Sequence, residues 1–239
     1  MLSDPDAGST PVRLTLIAAQ GSLSINVGTT GVSAIGSGSN TVVLDGSLAQ
    51  LNALLAGLNG GTLTHLTSGD APPTTDSLTW TLDDRGHSGT GAGTPVTVTS
   101  PININALNDA PAATIVPTAY NAVEQVPLNL QGSGLQITDA DAGNLIVQAT
   151  LGVVSGTLIA SAGSTGVAVS GSGTANLSLT GTVDQINALL QGLSSATVQY
   201  LNNSDTPAAT DTLTLRVDDQ GHSGSGGALT ASDSALILS

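Results

Sequence analysis

Apolar and polar side chains alternate along most of the chain, a pattern typical of β-strands that bury one face. Residues 213–217 (LTLRV) and 96–100 (VTVTS) are two such stretches, and Gly, Ser, Asn and Asp interrupt the runs. One segment departs from this period, because its leucines recur at the spacing of one helix face. These leucines are Leu48, Leu51, Leu54, Leu55 and Leu58. The pattern predicts an all-β chain with a short amphipathic helix that crosses one end of a β-sandwich and buries its leucines.

The sequence is duplicated with an offset of 135 residues. Residues 4–104 align without gaps on residues 139–239, and 41 of these 101 positions are identical. The helical pattern recurs in the second copy, at Val183, Ile186, Leu189, Leu190 and Leu193. Such self-similarity predicts a tandem-repeat architecture. We therefore expect one repeat over 1–105, a linker over 106–111 and a second repeat over 112–239.

The two copies differ in length at their N-terminal ends. The second copy has the 27 residues 112–138 between the linker and Asp139, whereas the first copy has only three residues before the equivalent Asp4. We expect the first repeat to be truncated at its N-terminus and the chain to be a fragment of a longer array.

The composition narrows the classes of function. Seventeen acidic residues face three cationic ones, which gives a net charge of -14 at pH 7, and cysteine is absent. Such a surface repels phosphate backbones and anionic lipids, so we expect neither a nucleic-acid partner nor a membrane partner. No apolar run is long enough to span a membrane, and the first residues lack a signal pattern.

The aspartates avoid strand centres and collect where predicted strands end. A coarse trace of the second repeat brings several of them to the pole beside the linker, and the linker adds an amide and a further carboxylate. The set expected at this junction, with one residue from the first repeat, is Asn108, Asp109, Asp139, Asp141, Asp218, Asp219 and Asp76. Unpaired carboxylates would repel one another there. Calcium, which takes 6–8 oxygen ligands, relieves that repulsion better than magnesium, so Ca²⁺ is the predicted ion.

Two further groups follow from the same trace. The first repeat carries the equivalent acids of an incomplete N-terminal site, Asp4, Asp6, Asp83 and Asp84. Glu124 is assigned to a next junction that this chain does not contain. An alternative remains open for every one of these residues, because Asp and Asn in turns also bond their own backbone without any ion.

Three motifs in order resemble those of cadherin repeats. Residues 137–144 (ITDADAGN) resemble the Asp-x-Asp-x-Gly motif, and 217–221 (VDDQG) resemble the Asp-x-Gly segment after the penultimate strand. Residues 107–111 (LNDAP) resemble the linker motif, and Glu124 resembles the glutamate after the first strand. The linker matches only in part, because Ala106 and Ala110 stand where the family has an acid and an amide. No match to the family's Asp-Arg-Glu motif is found.

The bias to Ala, Thr, Gly and Ser is more similar to the cadherin-like repeats of large bacterial surface adhesins, which are exported by type I secretion. The resemblance implies tandem immunoglobulin/cadherin-like β-sandwiches with calcium at their junctions. It also implies a non-catalytic extender role in adhesion or biofilm formation, outside the cell or on its surface. The implied partners are neighbouring repeats of the same chain and a ligand on a cell surface or in the extracellular matrix.

Two other classes of function are less consistent with the sequence. A ligand-binding sandwich for carbohydrate is the alternative, although sugar platforms need exposed aromatic side chains and only Trp80, Tyr120 and Tyr200 are available. An enzyme is disfavoured: His87 and His222 lie in similar DDxGHSG segments, but a catalytic triad needs spatial convergence and the Gly-x-Ser-x-Gly elbow is incomplete. We therefore expect no catalytic residues.

Overall fold

A computed structural model describes residues 1–5, 7–86 and 93–239 of the chain. The chain divides into two compact units, Met1–Ile104 (unit 1) and Asn105–Ser239 (unit 2). Both are β-sandwiches with one short α-helix, so the predicted all-β class is confirmed. In the described part of the chain, neither helix has the length and apolar character that a membrane crossing requires.

Unit 1 is built around a five-stranded antiparallel sheet with the order β3-β4-β1-β6-β7, and the pair β2-β5 forms a second layer. Alternate side chains of β1 and β4 are buried and supply six of the 12 buried apolar residues that form its core in the described part of the chain. Its elements are β1 (Val12–Ala18), β2 (Ser22–Asn26), β3 (Ser33–Ile35), β4 (Thr41–Gly46), α1 (Leu48–Leu55), β5 (Thr62–Leu66), β6 (Thr75–Asp83) and β7 (Val96–Asn103).

Unit 2 repeats this plan and adds strands at its N-terminal side. Its large sheet has the order β14-β15-β12-β17-β18-β9, a second sheet has the order β10-β16-β13, and β8 pairs with β11. Its elements are β8 (Ala112–Ile115), β9 (Ala119–Asn121), β10 (Leu128–Asn129), β11 (Leu135–Thr138), β12 (Val147–Gly152), β13 (Thr157–Ser161), β14 (Ala168–Ser170), β15 (Asn176–Gly181), α2 (Val183–Leu190), β16 (Thr197–Leu201), β17 (Thr210–Asp218) and β18 (Thr230–Leu238).

Both helices begin at a capping box, in which a hydroxyl and a glutamine satisfy the free N–H groups of the first turn. In α2 the Thr182 hydroxyl accepts from the backbone N–H of Gln185, whose side chain accepts from the backbone N–H of Thr182. Ser47 and Gln50 do the same for α1. The caps fix where each helix starts, and the inward face of each helix then packs on its sandwich.

The helices end one turn earlier than the leucine pattern predicts. Gly57 and Gly192 adopt a left-handed conformation at the end of each helix, with φ of 71° and 73°. Leu58 and Leu193 follow in a 3₁₀ turn and are 57% and 53% exposed. The prediction that these two leucines are core is therefore wrong, because glycine turns the chain away from the sandwich before they are reached.

A single asparagine joins each helix to the backbone of a neighbouring segment. The Asn187 side chain accepts from the backbone N–H of Ile137 at 3.0 Å and donates to its C=O at 2.8 Å. Asn52 makes the same two bonds to the backbone of Leu2, at 2.8 and 2.9 Å. The amide thus takes the place of a neighbouring strand for one residue, and it holds the segment that leads into the first aspartates of each unit.

Candidate functional site

The candidate site lies at one pole of unit 2, where two strands end and the residues predicted as the linker pass alongside. Strand β11 ends just before Asp139, and β17 ends just before Asp219. Leu107 forms a parallel bridge with Ser225, and the backbone N–H of Asn108 donates to the Ser225 C=O at 2.9 Å. Residues 106–109 are therefore fixed against the same pole as the aspartates.

Asn108 and Asp219 form the buried centre of this site. The Asn108 Nδ2 donates to Asp219 Oδ2 at 2.6 Å and to the Gly227 C=O at 2.9 Å. The other Asp219 oxygen accepts from the backbone N–H groups of Gly221 and Leu229, both at 2.8 Å. Asp219 is only 2% exposed, so directed hydrogen bonds rather than solvent stabilise its charge.

Asp141 is linked to this centre through a serine. The Ser223 Oγ lies 3.0 Å from Asp141 Oδ1 and 2.7 Å from Asn108 Oδ1, in position to donate to either. The second Asp141 oxygen accepts from the backbone N–H of Asp109 at 2.9 Å. Ser223 was not singled out from the sequence, because a serine in a Gly-rich loop carries no signal beyond that of a turn.

Asp139 completes the site and has one oxygen that is not satisfied. Its Oδ1 accepts from the backbone N–H groups of Asp141 and Ala142 at 3.2 and 3.0 Å. Its Oδ2 is buried and has no hydrogen-bond partner within the described residues. Burial, together with the neighbouring Asp141 carboxyl, raises the pKa of Asp139. Burial also acts on Asp141, but hydrogen bonds from the Asp109 N–H and the Ser223 hydroxyl, together with the interaction with the Asp139 carboxyl, outweigh it and lower the pKa of Asp141.

Asp218 takes a different role from its neighbour. Because side chains alternate along a strand, Asp219 faces the network and Asp218 faces outward. Asp218 Oδ2 accepts from the Arg216 guanidinium at 3.2 Å, and its Oδ1 accepts from the backbone and side chain of Gln220. Of the two adjacent aspartates that the sequence leaves equivalent, only Asp219 joins the hydrogen-bonded network.

Asp76 lies in unit 1 and is bound by that unit's own groups. Its Oδ1 accepts from the backbone N–H groups of Gln20 and Ser77, and its Oδ2 lies 2.8 Å from His65 Nε2. The equivalent residue in unit 2, Asp211, is held in the same way by backbone groups and by a tyrosine hydroxyl. In both units this aspartate therefore satisfies buried donors of its own sandwich.

The remaining predicted residues are distributed as follows. Asp83 and Asp84 accept from the backbone N–H groups of Arg85 and Gly86 in the turn after β6, Asp4 is half-buried, and Asp6 lies outside the described residues. Glu124 is exposed beside Gln125, whose N–H donates to the Asn202 C=O directly after β16. None of the hydrogen bonds described for the site at Asp219 involves Glu124 or Gln125.

The donor atoms of the site are all hard oxygens or amide groups, the chemistry that calcium prefers. Three carboxylates and one side-chain amide are connected in the order Asp139, Asp141, Ser223, Asn108 and Asp219. Across the described ranges, however, no three His, Cys, Asp or Glu side chains already form a cage around a common point. The site suits calcium in two respects: its donor atoms are of the type that calcium prefers, and one oxygen of Asp139 is unsatisfied. The other carboxylate oxygens already accept hydrogen bonds.

Comparisons with known proteins give structural matches alone. No family model and no curated protein matches the chain. Similar solved structures include human CDH23 EC21-23 (TM-score 0.39, 13% identity, 95% of this chain and 57% of that one) and protocadherin gamma C5 EC1-3 (0.36, 18%, 99% and 58%). BspA_C_mut is also similar (0.32, 7%, 100% and 87%). The β-sandwich architecture is therefore established by the strands and sheets of this chain itself.

Proposed function

We propose that this chain is a pair of non-catalytic extender repeats from a bacterial cell-surface or secreted adhesin, and that Ca²⁺ binds at the pole of unit 2. The observation that carries the proposal is the buried, unsatisfied Asp139 Oδ2 beside a second carboxylate. A buried carboxylate oxygen without a partner is costly, and a bound cation is one way in which such a cost is relieved.

Four residues would supply the ligands. Asp139 and Asp141 follow β11, Asp219 follows β17, and Asn108 comes from the segment that enters unit 2. Calcium, when bound, would supply a positive charge that neutralises these carboxylates. These residues come from three separate parts of the chain, which the fold brings to one pole of unit 2. A bound ion would therefore link the three parts.

The mechanical consequence follows from where Asn108 and Asp109 lie. Both belong to residues 106–111, the predicted linker, while the aspartates belong to the body of unit 2. An ion shared between them would add to the hydrogen bonds that already hold the linker against unit 2, and would further reduce bending of the chain at that point. We propose that this stiffening of the linker is what an extender repeat requires.

The wider assignment rests on the motif resemblance described above and on composition. A chain without cysteine and with a strong negative charge is compatible with a calcium-containing extracellular medium, where ions bound at acidic poles hold repeats in place. Export by type I secretion, a role in biofilm formation, and contacts with neighbouring repeats or with a surface ligand are parts of the same proposal.

The carbohydrate alternative is less well supported. Tyr120 and Tyr200 are buried in the core of unit 2, and Tyr200 donates to Asp211 rather than facing solvent. Trp80 lines an apolar groove beside leucine and valine side chains. None of the three presents the exposed aromatic platform on which sugar rings stack.

Calorimetry and small-angle scattering on the full chain test the proposal. Calcium added to chelator-treated protein should raise the melting temperature and increase the radius of gyration, because the linker becomes tied more firmly to unit 2. The same readings in Asp141→Asn should show a much smaller change, while Asp218→Asn, whose carboxylate pairs with Arg216, should respond like the parent chain. Identical readings with and without calcium in the parent chain would rule the proposal out.

A further inference from the structure

Residues 219–229, the β17–β18 loop, have their two ends fixed to each other. The backbone N–H of Asp219 donates to the Leu229 C=O at 3.2 Å. Asp219 Oδ1 accepts from the backbone N–H groups of Gly221 and Leu229, both at 2.8 Å. The four glycines of the loop all have positive φ, between 66° and 152°. A Gly-rich loop thus follows one defined path, because a buried carboxylate closes it at its base.

The loop lies beside the linker in the way that a neighbouring strand would. On either side of the parallel bridge between Leu107 and Ser225, the Ser225 N–H donates to the Ala106 C=O and the Ser225 C=O accepts from the Asn108 N–H, both at 2.9 Å. The Ser225 hydroxyl also donates to the Ala106 C=O, at 3.1 Å. These bonds involve only the backbone of the linker, which is alike at every residue except proline. They attach the linker without selecting its register.

The side chain of Asn108 supplies the selection. Its two Nδ2 protons are donated to Asp219 Oδ2 at 2.6 Å and to the Gly227 C=O at 2.9 Å. Its Oδ1 lies 2.7 Å from the Ser223 hydroxyl, which is placed to donate to it. Asn108 is 5% exposed, and a carboxylate and a carbonyl can only accept, so this slot fits an amide.

No other residue of the linker fits the same slot. Asn108 is the single amide among residues 106–111 (ALNDAP). A shifted linker would place either an apolar side chain or the Asp109 carboxylate against Asp219. The first would leave buried acceptors unpaired, and the second would bring two carboxylates together, so both are costly. The register in which Asn108 fills the slot is therefore strongly preferred.

A glycine allows the linker to come this close. A Cβ atom on Gly224 would lie 2.9 Å from the Ala106 carbonyl oxygen and 2.9 Å from the Asn108 nitrogen. Both are backbone atoms, so they cannot move aside as the end of a side chain could. Gly226 has a similar φ, 132° against 152°, but the nearest atom to a Cβ there is 3.7 Å away. Only the first of these two glycines is required by the approach of the linker.

We propose that the β17–β18 loop is a clasp that holds the linker to unit 2 in one register without a bound ion, and that it does so by recognising the side-chain amide of Asn108. Every contact in the clasp joins two groups of the protein, so the clasp does not depend on calcium. Calcium, where it binds, meets a linker that already lies in register, and adds stiffness to it.

Amide hydrogen exchange of the full chain in chelator tests the clasp through the Ser225 N–H, which donates to the linker. We expect this amide to be protected in the parent chain. Asn108→Asp has the same shape but turns a carboxylate toward Asp219, so the Ser225 amide should exchange about tenfold faster or more. Asn105→Asp adds the same charge at an exposed residue just before the linker and should leave the exchange rate unchanged.

A second pair of variants tests the close approach without any change of charge. Gly224→Ala should accelerate exchange at Ser225, because the added methyl group pushes the linker away. Gly226→Ala should exchange more slowly than Gly224→Ala at that amide, because its methyl group meets only ordinary contacts. The Leu215 amide in the middle of β17 should keep its protection in all four variants, which checks that unit 2 remains folded.

Three results would overturn the clasp. They are equal Ser225 exchange in Asn108→Asp and the parent chain, equal exchange in the two glycine variants, and protection of Ser225 in the parent chain only after calcium is added. The third result would leave calcium binding itself intact. The clasp and the calcium site can therefore fail separately.

Discussion

At the scale of single residues, the aspartates fall into two groups that the sequence does not separate. Asp76 and Asp211 each accept from two or more backbone N–H groups of their own sandwich, so they act as structural acceptors. Asp76 Oδ2 and Asp139 Oδ2 are both buried without a hydrogen-bond partner among the described residues, but Asp76 Oδ2 lies 2.8 Å from His65 Nε2, whereas Asp139 lies beside a second carboxyl. All three aspartates lie at strand ends with small or polar neighbours. Their roles differ because the fold of each unit decides which backbone N–H groups come close to each carboxylate. The residues next to an aspartate in the sequence do not indicate which N–H groups these will be.

Asp139→Asn should raise the stability of the calcium-free protein. The buried carboxylate beside Asp141 is replaced by a neutral amide that can donate to the neighbouring carboxylate, which removes both repulsion and an unsatisfied charge. We expect a gain of about 1 kcal/mol, or about 3 °C in melting temperature, measured by calorimetry in chelator. Calcium should stabilise this variant much less than it stabilises the parent chain. A loss of stability in chelator would mean that the Asp139 charge is itself a structural requirement.

Asp211→Ala should strongly destabilise unit 2. The carboxylate accepts from the backbone N–H groups of Val154, Ser155 and Thr212 and from the Tyr200 hydroxyl. Truncation leaves these buried donors unpaired, at a cost of about 3 kcal/mol or more in urea unfolding.

Asp205→Ala is the matched control for that substitution, because Asp205 is exposed and its hydrogen bond is to the side chain of Gln125. We expect a change of less than about 0.5 kcal/mol in the control. Equal losses in the two variants would contradict the structural role assigned to Asp211.

At the scale of elements, periodicity predicts the strands and the helices well, since both depend on which side chains face the core. The ends of the helices were less predictable. Ser47 and Gln50 mark the start of α1 as a capping box, but Gly57 ends it before Leu58, so spacing alone extends the helix too far. The clamp by Asn187 was not predicted, because it depends on a strand that lies 50 residues away.

Asn187→Ala should loosen the strand that leads to Asp139. Two hydrogen bonds to the backbone of Ile137 are lost, and the groups left behind are partly buried. We expect unit 2 to lose about 1–3 kcal/mol and the Ile137 amide to exchange hydrogen faster. Gln191→Ala, at the exposed end of the same helix, should change neither quantity appreciably. Unchanged exchange at Ile137 in Asn187→Ala would contradict the clamp.

At the scale of the whole molecule, the duplication predicts two similar sandwiches, and the two units share their order of elements from β1 and β12 onward. The units are not equal in their cores. Among the described residues, 25 buried apolar side chains form the core of unit 2 and 12 form that of unit 1.

Unit 1 should therefore unfold before unit 2. Its smaller core buries less apolar surface, which is the main stabilising term. On heating calcium-free protein, Trp80 fluorescence, which reports on unit 1, should change at a lower temperature than the main loss of β-sheet circular dichroism. A single coincident transition for both probes would mean that the two units unfold as one.

The central claim is that the pole of unit 2 binds calcium through Asp139, Asp141, Asp219 and Asn108. Isothermal titration of Ca²⁺ into chelator-treated full chain tests it most directly. The account predicts saturable binding that is greatly weakened in Asp139→Asn and retained in Asp218→Asn. Absence of binding heat together with an unchanged melting temperature, or equal binding by both variants, would contradict it.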